Sequence, residues 1–96
     1  MRGSEITDLY ELSWTKWGAQ SQLAMLAEES AELIKAALKF SREVNGSTKI
    51  DLMEEIADVE IMIDQIKHCL VLSPNAIDDI KQRKLNRLSL ILTERI

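Results

Sequence analysis

One proline, three glycines and one cysteine are spread over the 96 residues of this chain. A sandwich or barrel of many short strands needs more turn-forming residues than that. Aromatic residues amount to only 4%. With Cys69 as the sole cysteine, no disulfide forms within the chain, and a reducing cytoplasmic setting is the expectation. With His68 as the sole histidine, every site built on two histidines of one chain is excluded. No apolar run reaches the roughly 18 residues of a membrane span. Met1-Arg2-Gly3-Ser4 runs at once into acidic and polar residues, so neither membrane association nor a signal peptide is expected. Basic excess is lacking too. The net charge is −4 and the pI about 5.0, which argues against nucleic acid as the main partner.

What is present is helical. Apolar residues make up 46% and charged residues 29%, and Ala, Leu, Ile, Glu and Lys dominate. The length fits one domain, residues 1–96. Such a short chain buries a modest core. Without a disulfide, association into a homodimer or homotetramer is the expected further source of stability. The few breakers cut cleanly. Gly18 interrupts the first stretch, Asn45-Gly46-Ser47-Thr48 reads as a turn with candidate N-caps, and Ser73-Pro74 as a cap followed by proline at the first helical position. The spacing predicts helices near 4–16, 19–44, 48–71 and 74–95. The fold class is therefore all-α, a four-helix antiparallel bundle protomer.

Apolar stripes support this. The second helix carries Leu23, Leu26, Ala27, Leu33, Ile34, Ala37 and Phe40. The third carries Leu52, Ile56, Val59, Ile63, Ile66 and Leu70. Met53, Ala57, Ile61, Met62 and Cys69 add apolar surface off that stripe, so the third helix is expected to meet a second subunit. The fourth shows Ile77, Ile80, Leu88, Ile91 and Leu92.

Acidic residues cluster as Glu28, Glu29 and Glu32, then Glu54, Glu55 and Asp58. Their place on the helical wheel matters more than their number. At about 100° per residue, with Leu52 at zero, Glu55 falls at about 300° between Met62 and Ile66, and Asp58 at about 240°. With Leu26 at zero, Glu29 falls at about 300°, beside Phe40, and Glu32 at about 240°. Glu28 lies further out. Each helix thus offers an i, i+3 acidic pair at its apolar seam. Ionised carboxylates at such a seam are costly unless paired or bound to a cation. Oxygen ligands without a suitable histidine point to Mg²⁺, with Mn²⁺ as a substitute. Gln65 stands three before His68, so the Glu-x-x-His pairs of di-iron bundles are missing. A solvated acidic face is the other reading of either string alone.

The two strings Glu28-Glu29-Ser30-Ala31-Glu32 and Glu55-Ile56-Ala57-Asp58 resemble the hallmark of the MazG-like all-α nucleoside triphosphate pyrophosphohydrolases. Trp17-Gly18-Ala19-Gln20-Ser21-Gln22-Leu23 upstream and Glu54-Glu55-Ile56-Ala57-Asp58-Val59 are similar as well, over about residues 14–66. The resemblance implies helical protomers that dimerise. It implies cleavage of a nucleoside triphosphate to monophosphate and pyrophosphate. It also implies Mg²⁺ held by Glu29, Glu32, Glu55 and Asp58, with Glu28 serving a further metal or the attacking water. Relatives use aromatics near Trp14 and Trp17 to stack on the base; packing in a core or interface is the other reading.

Gln20 or Gln22 is placed to bond a base edge, or is an exposed helical glutamine. Lys81, Lys84 and Arg87 recur on one face and are candidates for phosphate contact, or form a solvated basic face. His68 reads as a surface residue and Cys69 as a small buried hydrophobe. Two other functions fit the sequence. One is a relative of phosphoribosyl-ATP pyrophosphatase. The other is a non-catalytic helical oligomerisation module, which has no need of Glu55 within an apolar stripe.

Overall fold

A computed structural model describes residues 1–94. All regular structure among them is helical: α1 (Gly3–Trp17), α2 (Ala19–Arg42), α3 (Gly46–Cys69) and α4 (Pro74–Thr93). None of these helices is long and apolar enough to cross a membrane.

The boundaries have local causes. Gly18 has φ 85°, a left-handed conformation that an L side chain rarely adopts, and this one residue separates α1 from α2. Asn45 caps α3. Its side chain accepts from the Thr48 amide at 2.9 Å, and the Asn45 amide donates to Thr48 Oγ1 at 3.2 Å, closing a reciprocal capping box. The cap moves the start of α3 two residues before the expected 48, and α2 stops at Arg42 rather than 44. Ser73 Oγ accepts from the Ala76 amide at 3.2 Å with Pro74 following, as the sequence predicts. Thr93 ends α4; of the two residues expected beyond it, Glu94 is outside the helix and Arg95 lies outside the described residues.

At the end of α3 the Leu72 amide donates to Lys67 O at 2.9 Å and the Val71 amide to His68 O at 3.2 Å. This is a Schellman closure, and it places Val71 at φ 52°.

Three helices pack together. α2 and α3 form the main antiparallel hairpin, and α1 packs on both. The apolar core is small: Val59, Met62 and Ile66, all on α3. The buried side of α3 is therefore rotated from the stripe expected around Leu52. Met62 is inside, whereas Ile56, Ile63 and Leu70 remain exposed. The protomer bundle is correspondingly built from α1, α2 and α3. α4 is a helix as predicted, but none of its residues is buried and it packs only sparsely on the other three. Both faces of the α2–α3 hairpin would need cover, and α1 supplies it on one.

His68 and Cys69 hold α1 against the end of α3. His68 Nε2 lies 2.8 Å from Glu11 Oε1, and the Cys69 thiol donates to Tyr10 O at 3.6 Å. His68 is thus an interhelical tether rather than a plain surface residue. Burial, then the Glu11 carboxylate, raises the pKa of the Cys69 thiol, which leaves it an unreactive packing group.

Candidate metal centre

The α2–α3 seam has a polar interior. Antiparallel pairing sets early α2 residues against late α3 residues. Gln22 therefore meets Gln65, each only 4% exposed, and Gln65 Nε2 donates to Gln22 Oε1. This corrects the alternative reading of Gln22 as an exposed helical glutamine. Its oxygen is committed to Gln65, which the sequence reading did not single out.

Two turns further along α2 the seam turns acidic. Glu29, Glu55 and Asp58 each bring a carboxylate oxygen within 4.8 Å of the others. Glu29 and Glu55 are half-buried and Asp58 is exposed. Glu55 sits deepest: its Oε2 is shielded from solvent and has no hydrogen-bond partner. Its carboxyl is pushed above the usual carboxylate range, first by burial and then by Asp58, Glu29, Glu32 and Glu54. The anions nearest it destabilise its charged form, and no cation among the described residues offsets them there.

This donor set fits a hard divalent cation. Three carboxylate oxygens within 4.8 Å of one another, one from a group whose Oε2 is shielded and unpartnered, are donors of the kind such a cation takes.

A cavity of about 210 Å³ opens beside Glu55, lined by Glu32, Lys35, Ala36, Lys39, Thr48 and Asp51. Glu32 stands at its mouth, exposed, with Lys35 Nζ 3.5 Å from its Oε1. Lys35, Lys39 and Asp51 were not predicted. Their signal lay in the i+3 and i+7 spacing of Lys35 and Lys39 from Glu32 and the i−4 spacing of Asp51 from Glu55. Glu28 is exposed and is not one of the gathered carboxylates.

A second cavity, of about 340 Å³, lies between α1, α2 and α3. Trp17, Ser21, Met25 and Met62 line it, with Gln22 and Gln65 in its wall. Trp17 is 55% exposed and so is not a core residue. Trp14 faces a different hollow, with Glu11, His68 and Cys69. Lys84 and Arg87 share a shallow groove on α4 with Ile80 and Arg83. They are not among the residues lining the cavity beside Glu55.

No protein-family model matches this chain, and no curated protein and no solved structure matches it. The resemblance to the MazG-like enzymes accordingly rests on the two acidic motifs and the residues around them.

Proposed function

We propose that this chain is a metal-dependent nucleoside triphosphate pyrophosphohydrolase. The observation that carries the reading is the buried, unpartnered Glu55 Oε2 beside Glu29 and Asp58. A carboxylate so placed weakens the fold unless a cation meets it. Glu29, Glu55 and Asp58 would hold Mg²⁺, or Mn²⁺ in its place, and Glu32, exposed and outside the gathered three, would be the fourth ligand.

The cation supplies neutralisation of the triphosphate charge and polarisation of the α-phosphate. The chain does the rest. Glu28, exposed and outside the gathered carboxylates, orients the attacking water and takes its proton. Lys35 and Lys39 line the same cavity and draw the phosphate chain toward the carboxylates. Trp17 offers a flat apolar surface for the base beside Gln22 and Gln65. Water oxygen bonds to the α-phosphorus, the α–β anhydride bond breaks, and nucleoside monophosphate and pyrophosphate leave. No protein nucleophile is required.

The test is a product assay on a panel of ribo- and deoxyribonucleoside triphosphates with Mg²⁺ or Mn²⁺ and an EDTA control. Monophosphate and pyrophosphate in equal amounts, abolished by EDTA, are expected. Absence of turnover on every substrate, together with no cation-induced rise in Tm, overturns the reading in favour of a helical interaction module.

A further inference from the structure

We propose that α1 is a hinged cover over the cavity that Trp17 lines, swinging about Gly18 and held shut by the bond between Glu11 and His68. The hinge is the first ground. Gly18 is the one residue between α1 and α2, with φ 85° and ψ 155°, a region that essentially only glycine enters. A β-carbon built there meets nothing within 4 Å. The backbone turn therefore demands the glycine, not a close neighbour, and the open space around it leaves α1 room to move.

The latch is the second ground. α1 contributes no buried residue. Among the described residues, every hydrogen bond joining α1 to another helix falls at one place. His68 Nε2 meets Glu11 Oε1 at 2.8 Å, and the Cys69 thiol donates to Tyr10 O at 3.6 Å. The rings of Tyr10 and His68 lie beside these bonds, their centroids 6.4 Å apart. Water reaches both members of the pair, since the Glu11 side chain is 62% exposed and that of His68 35%. A pair so placed holds weakly. α1 is thus fastened by contacts that break before the rest of the fold does.

The third ground is what lies between hinge and latch. Glu11 and Gly18 are about 10 Å apart along the helix. Ser13 and Trp17 stand between them and form the α1 wall of the 340 Å³ cavity, opposite Met25, Met62 and the Gln22–Gln65 pair. Swinging α1 away uncovers the buried amides and carries off the Trp17 ring in one motion. The seam contacts of α2 with α3 do not pass through α1, so they stay while it leaves. The inference is independent of the proposed activity, and its test needs neither nucleotide nor cation.

Cys69 is the sole cysteine and bonds to α1, so its labelling reads the cover directly. Native-state hydrogen exchange of the full chain, beside thiol labelling with an aromatic disulfide reagent, tests the proposal. The amides from Tyr10 to Trp17 are expected to open at lower free energy than those of mid-α2 and mid-α3, with Cys69 labelling following the α1 opening. His68→Leu removes the latch and keeps Glu11, the charge that acts on the thiol; it should speed labelling roughly two- to fivefold. Gly18→Ala, at the other end of the lever, should speed it at least about fivefold. Thr48→Ala breaks the cap at the opposite end of the hairpin. It should speed exchange of α3 and leave labelling unchanged. Exchange of α1 only together with α2 and α3 overturns the proposal. So does a labelling rate that His68→Leu and Gly18→Ala both leave unchanged, or one that Thr48→Ala raises as much as it raises α3 exchange. The exchange measurement on the unaltered chain depends on no variant folding.

Discussion

Glu55 of α3 meets Glu29 of α2 across the seam, with a carboxylate oxygen of each within 4.8 Å of the other and of Asp58, and Glu55 Oε2 has no hydrogen-bond donor. Packing alone would place an isoleucine there, as it does at Ile66 three turns on. Like charges held together in a shielded place oppose folding, so the arrangement makes physical sense as a cation site.

Glu55→Gln keeps the shape and removes the charge. In EDTA the variant should melt higher than the unaltered protein, because the repulsion with Glu29 and Asp58 is gone. Turnover should fall by about a hundredfold or more, the scale of losing one preorganised electrostatic group. The rise in Tm on adding Mg²⁺ should shrink. Differential scanning calorimetry with and without Mg²⁺, alongside the product assay, separates these effects. A variant that melts lower in EDTA refutes the repulsion.

The same carboxyl sets a pH dependence. Its folded-state pKa is raised above the ordinary 4.5, chiefly by burial and then by Asp58 and Glu29. The folded protein therefore binds this proton more tightly than the unfolded chain. Below 4.5 both states hold the proton and Glu55 carries no penalty. As pH rises from there through the raised folded value, stability falls, and the penalty is complete above it. Metal-free protein should accordingly melt higher near about pH 5 than near about pH 8. Glu55→Gln should flatten that slope, and saturating Mg²⁺ should oppose it. Melts across this range in EDTA check the sign.

The acidic centre was legible in the sequence because it needs only local periodicity. Once α2 and α3 are helices, the wheel puts Glu29 and Glu55 on the seam without further information. Gln22 was not legible in that way. A lone glutamine reads as surface, and its burial depends on a partner 43 residues away. The rotation of α3 was hidden for a related reason. Apolar residues stand on more than one side of it, so periodicity alone does not choose between Ile63 and Met62 as the inner residue. The separation of α4 from the bundle depends on how much apolar surface α1 already covers, which is a property of the packed whole.

The Gln22–Gln65 pair gives a prediction about stability. Removing one amide strands the other in a buried place, at about 1–3 kcal/mol. Gln22→Leu and Gln65→Leu singly should therefore each lower Tm by several degrees, at roughly 4–8 °C per kcal/mol for a domain this size. The double change removes both polar groups and should recover most of the loss. A double-mutant cycle from urea melts at fixed protein concentration reads the coupling directly. Strict additivity would mean that the two amides are not a unit.

Val71 closes α3 in a conformation that suits glycine or asparagine. Its φ of 52° forces a β-branched side chain into the left-handed region, while 86% of the residue is exposed to solvent. The backbone bonds of the closure come from the Val71 and Leu72 amides, so the side chain contributes nothing to them. Strain of this kind costs on the order of 1–2 kcal/mol. Glycine relieves it but widens the unfolded ensemble, giving back about 0.5–1 kcal/mol. Asparagine tolerates the left-handed region with less of that entropic loss. Val71→Asn should thus raise Tm by a few degrees and Val71→Gly by less. Neither should alter turnover, because Val71 lines the hollow by Trp14 and not the carboxylate cavity. Calorimetry of the two variants beside the unaltered protein tests the order. A fall in Tm for Val71→Asn would show that the valine side chain is held by contacts that outweigh its backbone strain.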